Sequence, residues 1–179
     1  MVKSVGKSAD STIQRFNGST IAIRNRQRAR KINPRRLKEI VGTLFGELNI
    51  QQAELGIHLV GAKEMARVNW QFLQHEGSTD VITFDHAEKR KAESGKRKPI
   101  HGELFICVDV AVTQAKEFKS SWQAEVVRYV VHGVLHLLGY DDLQPALRRR
   151  MKREENRLVR RLAKRFALAQ LARPAKMAT

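Results

Sequence analysis

Cysteine is almost absent from this chain of 179 residues, in which Cys107 is the single example. One cysteine can form neither an internal disulfide nor a four-cysteine zinc site, so a bound metal would need histidine or carboxylate ligands. Apolar runs are short as well, and none approaches the roughly 18 residues that a membrane span requires. Residues 1–16 lack the apolar segment of a secretory signal. We therefore expect a cytoplasmic protein without a disulfide-linked partner.

Aromatic residues make up only 6% of the chain, whereas hydrophobic residues reach 42% and charged residues 29%. The last two values are typical of globular proteins and argue against disorder or a coiled coil. Helical and alternating apolar patterns follow one another along the sequence, including a very apolar central helix at 123–138. We predict a single-domain α+β fold, with helices packed on a small mixed β-sheet. Its expected parts are a flexible basic arm (1–18), the folded domain (19–168) and a C-terminal tail (169–179).

Positive charge is concentrated at the two ends of the chain, whose formal net charge is +16. Residues 1–38 and 143–179 each carry a net charge of +10, whereas residues 39–142 carry −4. Such basic segments favour a polyanionic partner, because each lysine or arginine that reaches a phosphate releases counterions. Nucleic acid is the partner that we favour, and an anionic membrane surface or an ordinary solvated surface is the alternative. A further basic run, at 89–98, lies within the segment 85–101, which is predicted to be a mobile loop.

The last helix is predicted to begin at Pro145 and has an apolar stripe and a strongly basic face. The stripe should dock on the domain and consists of Met151, Leu158, Val159, Leu162 and Phe166. The opposite face should stay in water, where it can meet an anionic substrate. The residues that we predict to bind substrate on this face are Arg148, Arg149, Lys152 and Arg153.

The end of the central helix, V-V-H-G-V-L-H-L-L-G-Y-D-D, contains the residue types of a metal site. His132 and His136 lie four residues apart, so their imidazoles share one helix face and can reach one metal ion. Gly139 should end the helix and turn Asp141 and Asp142 back towards the histidines. A carboxylate there would complete three protein ligands and leave a fourth position open, as in catalytic zinc sites. On spacing alone, two core histidines and a helix-capping Asp142 explain the pattern equally well.

Gly133 directly follows the first histidine of this segment. Metalloproteases of the His-Glu-x-x-His type place a glutamate there, because it serves as their general base. A protease that uses this mechanism would therefore lack its base, and we do not favour a metalloprotease.

The same segment resembles the signature of the YbeY family of bacterial metal-dependent endoribonucleases, His-Gly-x-Leu-His-Leu-x-Gly-Tyr-Asp-His. The residues that match it are His132, Gly133, Leu135, His136, Leu137, Gly139, Tyr140 and Asp141. Other residues that fit the family are Asn69, Phe72, Thr79, Asp80, Val81, Thr83, Phe84, Gly102, Glu103, Leu104, Ile106, Cys107, Met151 and Glu155. The resemblance extends from about Ile32 to Leu162.

The resemblance implies an α+β endoribonuclease, specific for single strands, with its metal site at the central helix and the turn that follows. It implies roles in ribosomal RNA maturation at the 3′ end of the small-subunit RNA and in ribosome quality control. The implied partners are ribosomal RNA and the small ribosomal subunit, and the implied cofactor is one Zn²⁺ per chain. By alignment with the signature the ligands are His132, His136 and Asp142, with Asp142 in place of a third histidine. A carboxylate there suits a harder metal, so Mn²⁺ and Mg²⁺ are alternatives.

Two departures from the family pattern leave a second interpretation open. Besides Asp142, Leu73 stands where the family has an arginine linked to RNA cleavage. Arg67 or the basic run at 89–98 is the candidate replacement for that charge. The second interpretation is a non-catalytic factor that binds RNA or the ribosome and uses the metal structurally. The sequence assigns a catalytic role to no single residue.

Overall fold

The computed structural model describes residues 11–16, 18–87 and 99–173. Their strands and helices are, in order, β1 Ser11–Phe16, β2 Ser19–Asn25, α1 Pro34–Glu47, β3 Ala53–Val60, α2 Ala62–Leu73, β4 Val81–Asp85, β5 Ile100–Cys107, α3 Val108–Glu117, α4 Trp122–Leu137 and α5 Pro145–Arg165. A 3₁₀-helix at Leu168–Leu171 follows. None of the helices in this part of the chain is long and apolar enough to cross a bilayer.

The strands form one five-stranded mixed sheet in the order β1-β2-β3-β5-β4. Strands β2, β3 and β5 run parallel, and each edge strand is antiparallel to its neighbour. Parallel neighbours need a crossover connection, which α1 provides between β2 and β3. One mixed sheet with helices packed on it confirms the predicted α+β fold.

The main hydrophobic core joins one face of the sheet to helices α1, α4 and α5. Ile57 and Leu104 of the sheet and Val130 of α4 are fully buried members of this core. The apolar stripe predicted for α5 is buried there too. A smaller cluster at α2 includes Met65 and Cys107, so the single cysteine is a buried apolar side chain.

Helix α4 is the central helix and carries most of the candidate site. Ser121 caps its first turn, because the Ser121 Oγ accepts a hydrogen bond from the backbone N–H of Ala124 (3.2 Å). The middle of α4 lies very close to the sheet, since a Cβ on Gly133 would be 2.5 Å from Cδ2 of Leu104. Beyond its end, Gly139 has a φ of +85°, a left-handed conformation that glycine adopts without strain. The chain therefore reverses direction just after the two histidines.

Residues 11–16, which lie within the flexible arm expected for 1–18, form strand β1. This strand pairs with β2 from Ser11 opposite Arg24 to Phe16 opposite Ser19. Gly18, with a φ of +80°, permits the tight turn between the two strands. The pairing gives hydrogen-bond partners to backbone groups that the edge of β2 would otherwise expose. The free energy of these hydrogen bonds outweighs the polar composition of the segment, which favoured a flexible arm.

Residues as far as 173, which include the beginning of the tail expected for 169–179, pack on the domain. Leu171 is fully buried, and its carbonyl accepts a hydrogen bond from the backbone N–H of Asn33 (2.8 Å). The N–H of Arg173 donates to the carbonyl of Lys31 (2.9 Å). Residues 1–10 and 174–179 and the basic run at 89–98 lie outside the described residues. The domain bounds 19 and 168 stay a prediction.

Candidate metal centre

Three of the predicted residues come together where α4 ends. The Nε2 atoms of His132 and His136 are 3.0 Å apart. The Asp142 carboxylate lies beside them, with one oxygen 3.9 Å from Nε2 of His132 and the other 3.9 Å from Nε2 of His136. One ligand atom from each residue can be chosen so that all three lie within 4.8 Å of one another. The turn at Gly139 thus places the carboxylate as the sequence pattern predicts.

The hydrogen bonds of the two imidazoles fix which nitrogen carries the proton. Nδ1 of His136 is 3.0 Å from the backbone carbonyl of Tyr140, which can only accept, so this nitrogen is the donor. Nδ1 of His132 is 3.1 Å from a carboxylate oxygen of Glu155 and donates in the same way. In the neutral imidazoles both Nε2 atoms then present lone pairs to each other.

This arrangement fits a divalent metal ion. Two lone pairs 3.0 Å apart repel each other unless a cation lies between them, and the neighbouring carboxylate of Asp142 adds negative charge. Two imidazole nitrogens and one carboxylate oxygen are also the ligand types of catalytic zinc sites, which keep a position open. All three side chains are partly exposed, so a metal and a substrate can reach them. The cluster can therefore hold a metal, while its role as a ligand set stays a proposal.

Glu155 of α5 orients His132 from the side away from the cluster. This side chain is buried, and besides His132 its carboxylate accepts hydrogen bonds from Arg128 (2.6 Å) and Lys152 (2.7 Å). Burial alone would raise the pKa of Glu155, but the hydrogen bonds from His132, Lys152 and Arg128 outweigh it and hold the pKa at about 2. The carboxylate is thus ionised and keeps the proton of His132 on Nδ1, as carboxylates that accept a hydrogen bond from a metal-binding histidine do.

A cleft of about 720 Å³ opens beside the cluster, between α4 and α5. We call it the α4–α5 cleft. It reaches from His132 and Asp142 to the loop between α3 and α4. The residues that line it are Asp80, Gln114, Phe118, Ser120, Glu125, Arg128, Tyr129, His132, Asp142, Arg148, Met151, Lys152, Glu155 and Asn156. The volume lies in the range of small-molecule sites, roughly 300–1,000 Å³.

The structure separates the four predicted substrate-binding residues into two pairs. Arg148 and Lys152 line the α4–α5 cleft, and Nε of Arg148 donates to the carbonyl of Asp142 (2.9 Å). Arg149 and Arg153 are exposed on α5 but do not line the cleft. At about 100° per residue, each of them is rotated a quarter turn away from the first pair. Whether either pair contacts substrate stays a prediction.

Arg128 lines the cleft but was not among the residues predicted from the sequence. It lies one helical turn before His132 on α4, and the four-residue spacing that relates the two histidines could have identified it. The sequence instead suggests Arg67 or the basic run at 89–98 as the replacement for the arginine of the family pattern, where this chain has Leu73. Arg67 is largely exposed and lies near Glu64, at 3.9 Å. The run at 89–98 is outside the described residues, and Leu73 is half exposed at the end of α2.

The histidines of the sheet lie apart from this cluster. His58 is buried and stacked on Phe105, with the ring centroids 4.4 Å apart. Its Nε2 is 2.9 Å from a carboxylate oxygen of Glu103, which compensates for the burial. His86 and His101 line a separate hollow of about 520 Å³ that also contains Glu103.

Comparison with known proteins identifies relatives over most of the chain. The sequence profile of the family Endoribonuclease YbeY matches residues 22–163. The chain is 34% identical over 141 residues to Endoribonuclease YbeY of Chlorobium phaeovibrioides, covering 79% of this chain and 89% of that protein. It is 31% identical over 140 residues to Endoribonuclease YbeY of Salinibacter ruber, covering 78% and 89%.

Among solved structures, the fold is similar to the solution structure of TM1509 from Thermotoga maritima, with a TM-score of 0.56 and 23% sequence identity. The alignment covers 79% of this chain and 88% of that one. This similarity supports the α+β fold, and the sequence relatives support the enzyme class, a nuclease that acts on RNA. The non-catalytic interpretation is accordingly not favoured. A profile match over residues 22–163, with relatives above 30% identity along most of their length, shows that this chain belongs to the Endoribonuclease YbeY family.

Proposed function

We propose that this protein is a metal-dependent endoribonuclease that cuts single-stranded RNA in the cytoplasm. Its proposed substrate is ribosomal RNA, at the 3′ end of the small-subunit RNA, with a further role in ribosome quality control on the small subunit. The observation that carries the proposal is the cluster of His132, His136 and Asp142 at the mouth of a cleft with basic side chains. Family membership supplies the enzyme class.

The residues of the site have distinct proposed roles. His132, His136 and Asp142 would hold the metal, which supplies a Lewis acid that stabilises negative charge on the phosphate in the transition state. Glu155 keeps the His132 ring in position, because its carboxylate is fixed by Arg128 and Lys152.

Arg148 and Lys152 would bind the phosphates on either side of the scissile bond, since both line the cleft beside the cluster. Arg149 and Arg153 would contact the RNA backbone further along the exposed face of α5.

We propose Zn²⁺ as the metal, one ion per chain, because two imidazoles and a carboxylate in an open site suit zinc. Asp142 provides a harder ligand than the histidine of the family signature, so Mn²⁺ and Mg²⁺ are the competitors. Elemental analysis of untagged protein, followed by reconstitution of the chelated protein with each ion, separates these three.

The proposal is tested by cleavage of an end-labelled single-stranded RNA that spans the 3′ end of the small-subunit RNA. We expect the wild type to cut it and to lose activity with a chelator. His132→Ala and His136→Ala should each lose both the metal and cleavage. His75→Ala is the matched control, because His75 is an exposed histidine outside the cluster, and it should keep both.

Two results would contradict the proposal in different ways. If both histidine variants kept the full metal content, the metal site would be wrong. If the metal-loaded wild type bound the RNA tightly but left it uncut under all three metals, the protein would be a non-catalytic RNA-binding factor.

A further inference from the structure

The loop between α3 and α4, at 118–121, forms the end of the α4–α5 cleft that lies away from the metal cluster. Phe118 lines the cleft there, and 63% of its surface is exposed. A single exposed phenylalanine is common on protein surfaces and by itself does not indicate a binding site. This one stands at the rim of a polar cleft that leads to a metal cluster, and that location calls for an explanation.

The backbone that carries Phe118 is held at both ends. The N–H of Phe118 donates to the carbonyl of Gln114 (2.8 Å), and the N–H of Ser120 donates to the carbonyl of Ala115 (2.9 Å). Lys119, between them, has a φ of +52°, in the left-handed region that a non-glycine residue adopts only in a defined turn. Ser121 then caps α4. The ring is therefore presented from a fixed turn, so little backbone entropy is lost when a ligand stacks on it.

Buried polar side chains line the cleft beside this ring. Tyr129 is 2% exposed and Glu125 is 5% exposed. The Tyr129 hydroxyl donates to Oε1 of Gln114 (2.7 Å), and Glu125 accepts a hydrogen bond from the hydroxyl of Ser120. With Oε1 of Gln114 engaged, its amide NH₂ group is the donor left to meet a ligand. An aromatic platform beside fixed hydrogen-bonding groups is suited to a planar, polar, heteroaromatic ligand.

The rest of the cleft indicates which heteroaromatic ligand this is. Glu125 and His132 are seven residues apart on α4, which is about 10 Å along the helix axis. Two basic side chains, Arg148 and Lys152, lie at the metal end of the cleft. One nucleotide strand can span such a distance with its phosphate at the metal and a neighbouring base on the aromatic ring. A paired base cannot do so, because it must leave its stack to lie on a protein ring.

We propose that Phe118 is the stacking platform for one unpaired base next to the scissile phosphate, with Gln114 donating to the edge of that base. The inference rests on the proposed endoribonuclease function. It extends that function by assigning the preference for single strands to this subsite. Because the ring is exposed and makes up no part of the core, its removal should not unfold the protein.

Steady-state cleavage of a single-stranded oligoribonucleotide tests the platform. Phe118→Ala should raise KM by about 5- to 150-fold, the range expected for one base–aromatic stack, with kcat unchanged. Phe118→Trp should restore the wild-type KM, because it keeps a stacking surface. Phe72→Ala is the matched control, since Phe72 is similarly exposed but lies on α2 with its edge on Phe84, and its KM should equal that of the wild type.

Substrates that lack a single base identify the contact directly. Removal of one base near the cut should raise the KM of the wild type by the same factor as Phe118→Ala. With that substrate, Phe118→Ala should raise KM no further, because the two changes remove the same contact and their effects do not add. The proposal would be overturned if each abasic substrate raised KM by the same factor in the wild type and in Phe118→Ala. It would also be overturned if Phe118→Ala had the KM of the wild type on the intact substrate.

Binding measurements separate this inference from the proposed function. An oligoribonucleotide with 2-aminopurine at the identified position should lose fluorescence on binding to the wild type and not to Phe118→Ala. If no RNA is cut by any metal-loaded protein but this quenching depends on Phe118, the subsite stands and the nuclease function fails. If RNA is cut and the quenching does not depend on Phe118, the subsite fails and the function stands.

Discussion

Replacement of Glu155 by glutamine should destabilise both the fold and the metal site. The carboxylate accepts hydrogen bonds from His132 (3.1 Å), Arg128 (2.6 Å) and Lys152 (2.7 Å), and its side chain is only 3% exposed. Glutamine keeps the shape but removes the charge, so the guanidinium of Arg128 loses the carboxylate that compensates for its partial burial. Lys152 is more than half exposed and can be solvated instead.

The size of the effect follows from these contacts. Loss of one partner of a buried ion pair costs about 3–5 kcal/mol. Arg128 keeps Asn156 (2.9 Å) and Glu125 (3.6 Å) as neighbours. We therefore expect the free energy of unfolding to fall by about 2–4 kcal/mol, somewhat less than the full cost of an unpaired charge. At roughly 2–4 °C per kcal/mol for a chain of this length, Tm should fall by about 4–16 °C. Metal affinity should fall by about 10- to 100-fold, because His132 is no longer held by a carboxylate.

Two measurements on Glu155→Gln check this expectation. Thermal unfolding of the chelated protein, followed by circular dichroism, gives the change in stability. Competition with a chromophoric chelator gives the change in metal affinity. Glu154→Gln is the matched control, since Glu154 forms a surface ion pair with Arg157 (2.6 Å), and such pairs contribute about 0–1 kcal/mol. The reasoning is refuted if the two variants melt at the same temperature and bind the metal equally well.

Three further predictions concern other parts of the molecule. Asp142→Ala should weaken metal binding and Asp142→His should tighten Zn²⁺, measured by chelator competition; unchanged affinity in Asp142→Ala would leave Asp142 a helix-flanking residue only. Arg148→Gln and Lys152→Gln should each lower the salt slope of single-stranded RNA binding by about 0.7, whereas Lys63→Gln, on the exposed side of α2 and outside the cleft, should not. Burial raises the pKa of Glu103, but hydrogen bonds from two histidines outweigh it and keep that pKa below its ordinary value. The stability that Glu103 contributes at neutral pH should thus be lost as the pH falls below the ordinary carboxyl range, so acid unfolding of Glu103→Gln should be shallower, and an identical acid limb would contradict this.

Local signals predicted most of the fold and brought the metal residues together. Helix α5 begins at Pro145, as predicted, and the Asn33-Pro34 pair at the start of α1 is a local signal of the same kind. There Oδ1 of Asn33 accepts a hydrogen bond from the N–H of Arg36 (3.2 Å). The helical spacing of the two histidines and the glycine after them predicted the cluster, because each of these features depends on neighbours within one or two turns.

Features that depend on packing between distant segments could not be predicted from such local signals. The contact between His132 and Glu155 joins residues 23 positions apart, and it exists only because α5 packs on α4 at one particular angle. Burial of His58 depends on Glu103, 45 positions away, which compensates for the loss of water. Strand β1 is different, since the Asn17-Gly18 dipeptide between β-prone residues is a turn signal that could have predicted a hairpin.

The close approach of α4 to the sheet has a consequence for the chemistry that this site can acquire. A Cβ at position 133 would lie 2.5 Å from a methyl carbon of Leu104 and 3.2 Å from the hydroxyl of Thr83. A glutamate introduced at this position, as in the His-Glu-x-x-His proteases, would therefore be driven into the interior of the protein and away from the metal. Evolution towards peptide hydrolysis would first require Leu104 to repack or α4 to move away from the sheet, so the obstacle is the packing of the core as well as the identity of one residue.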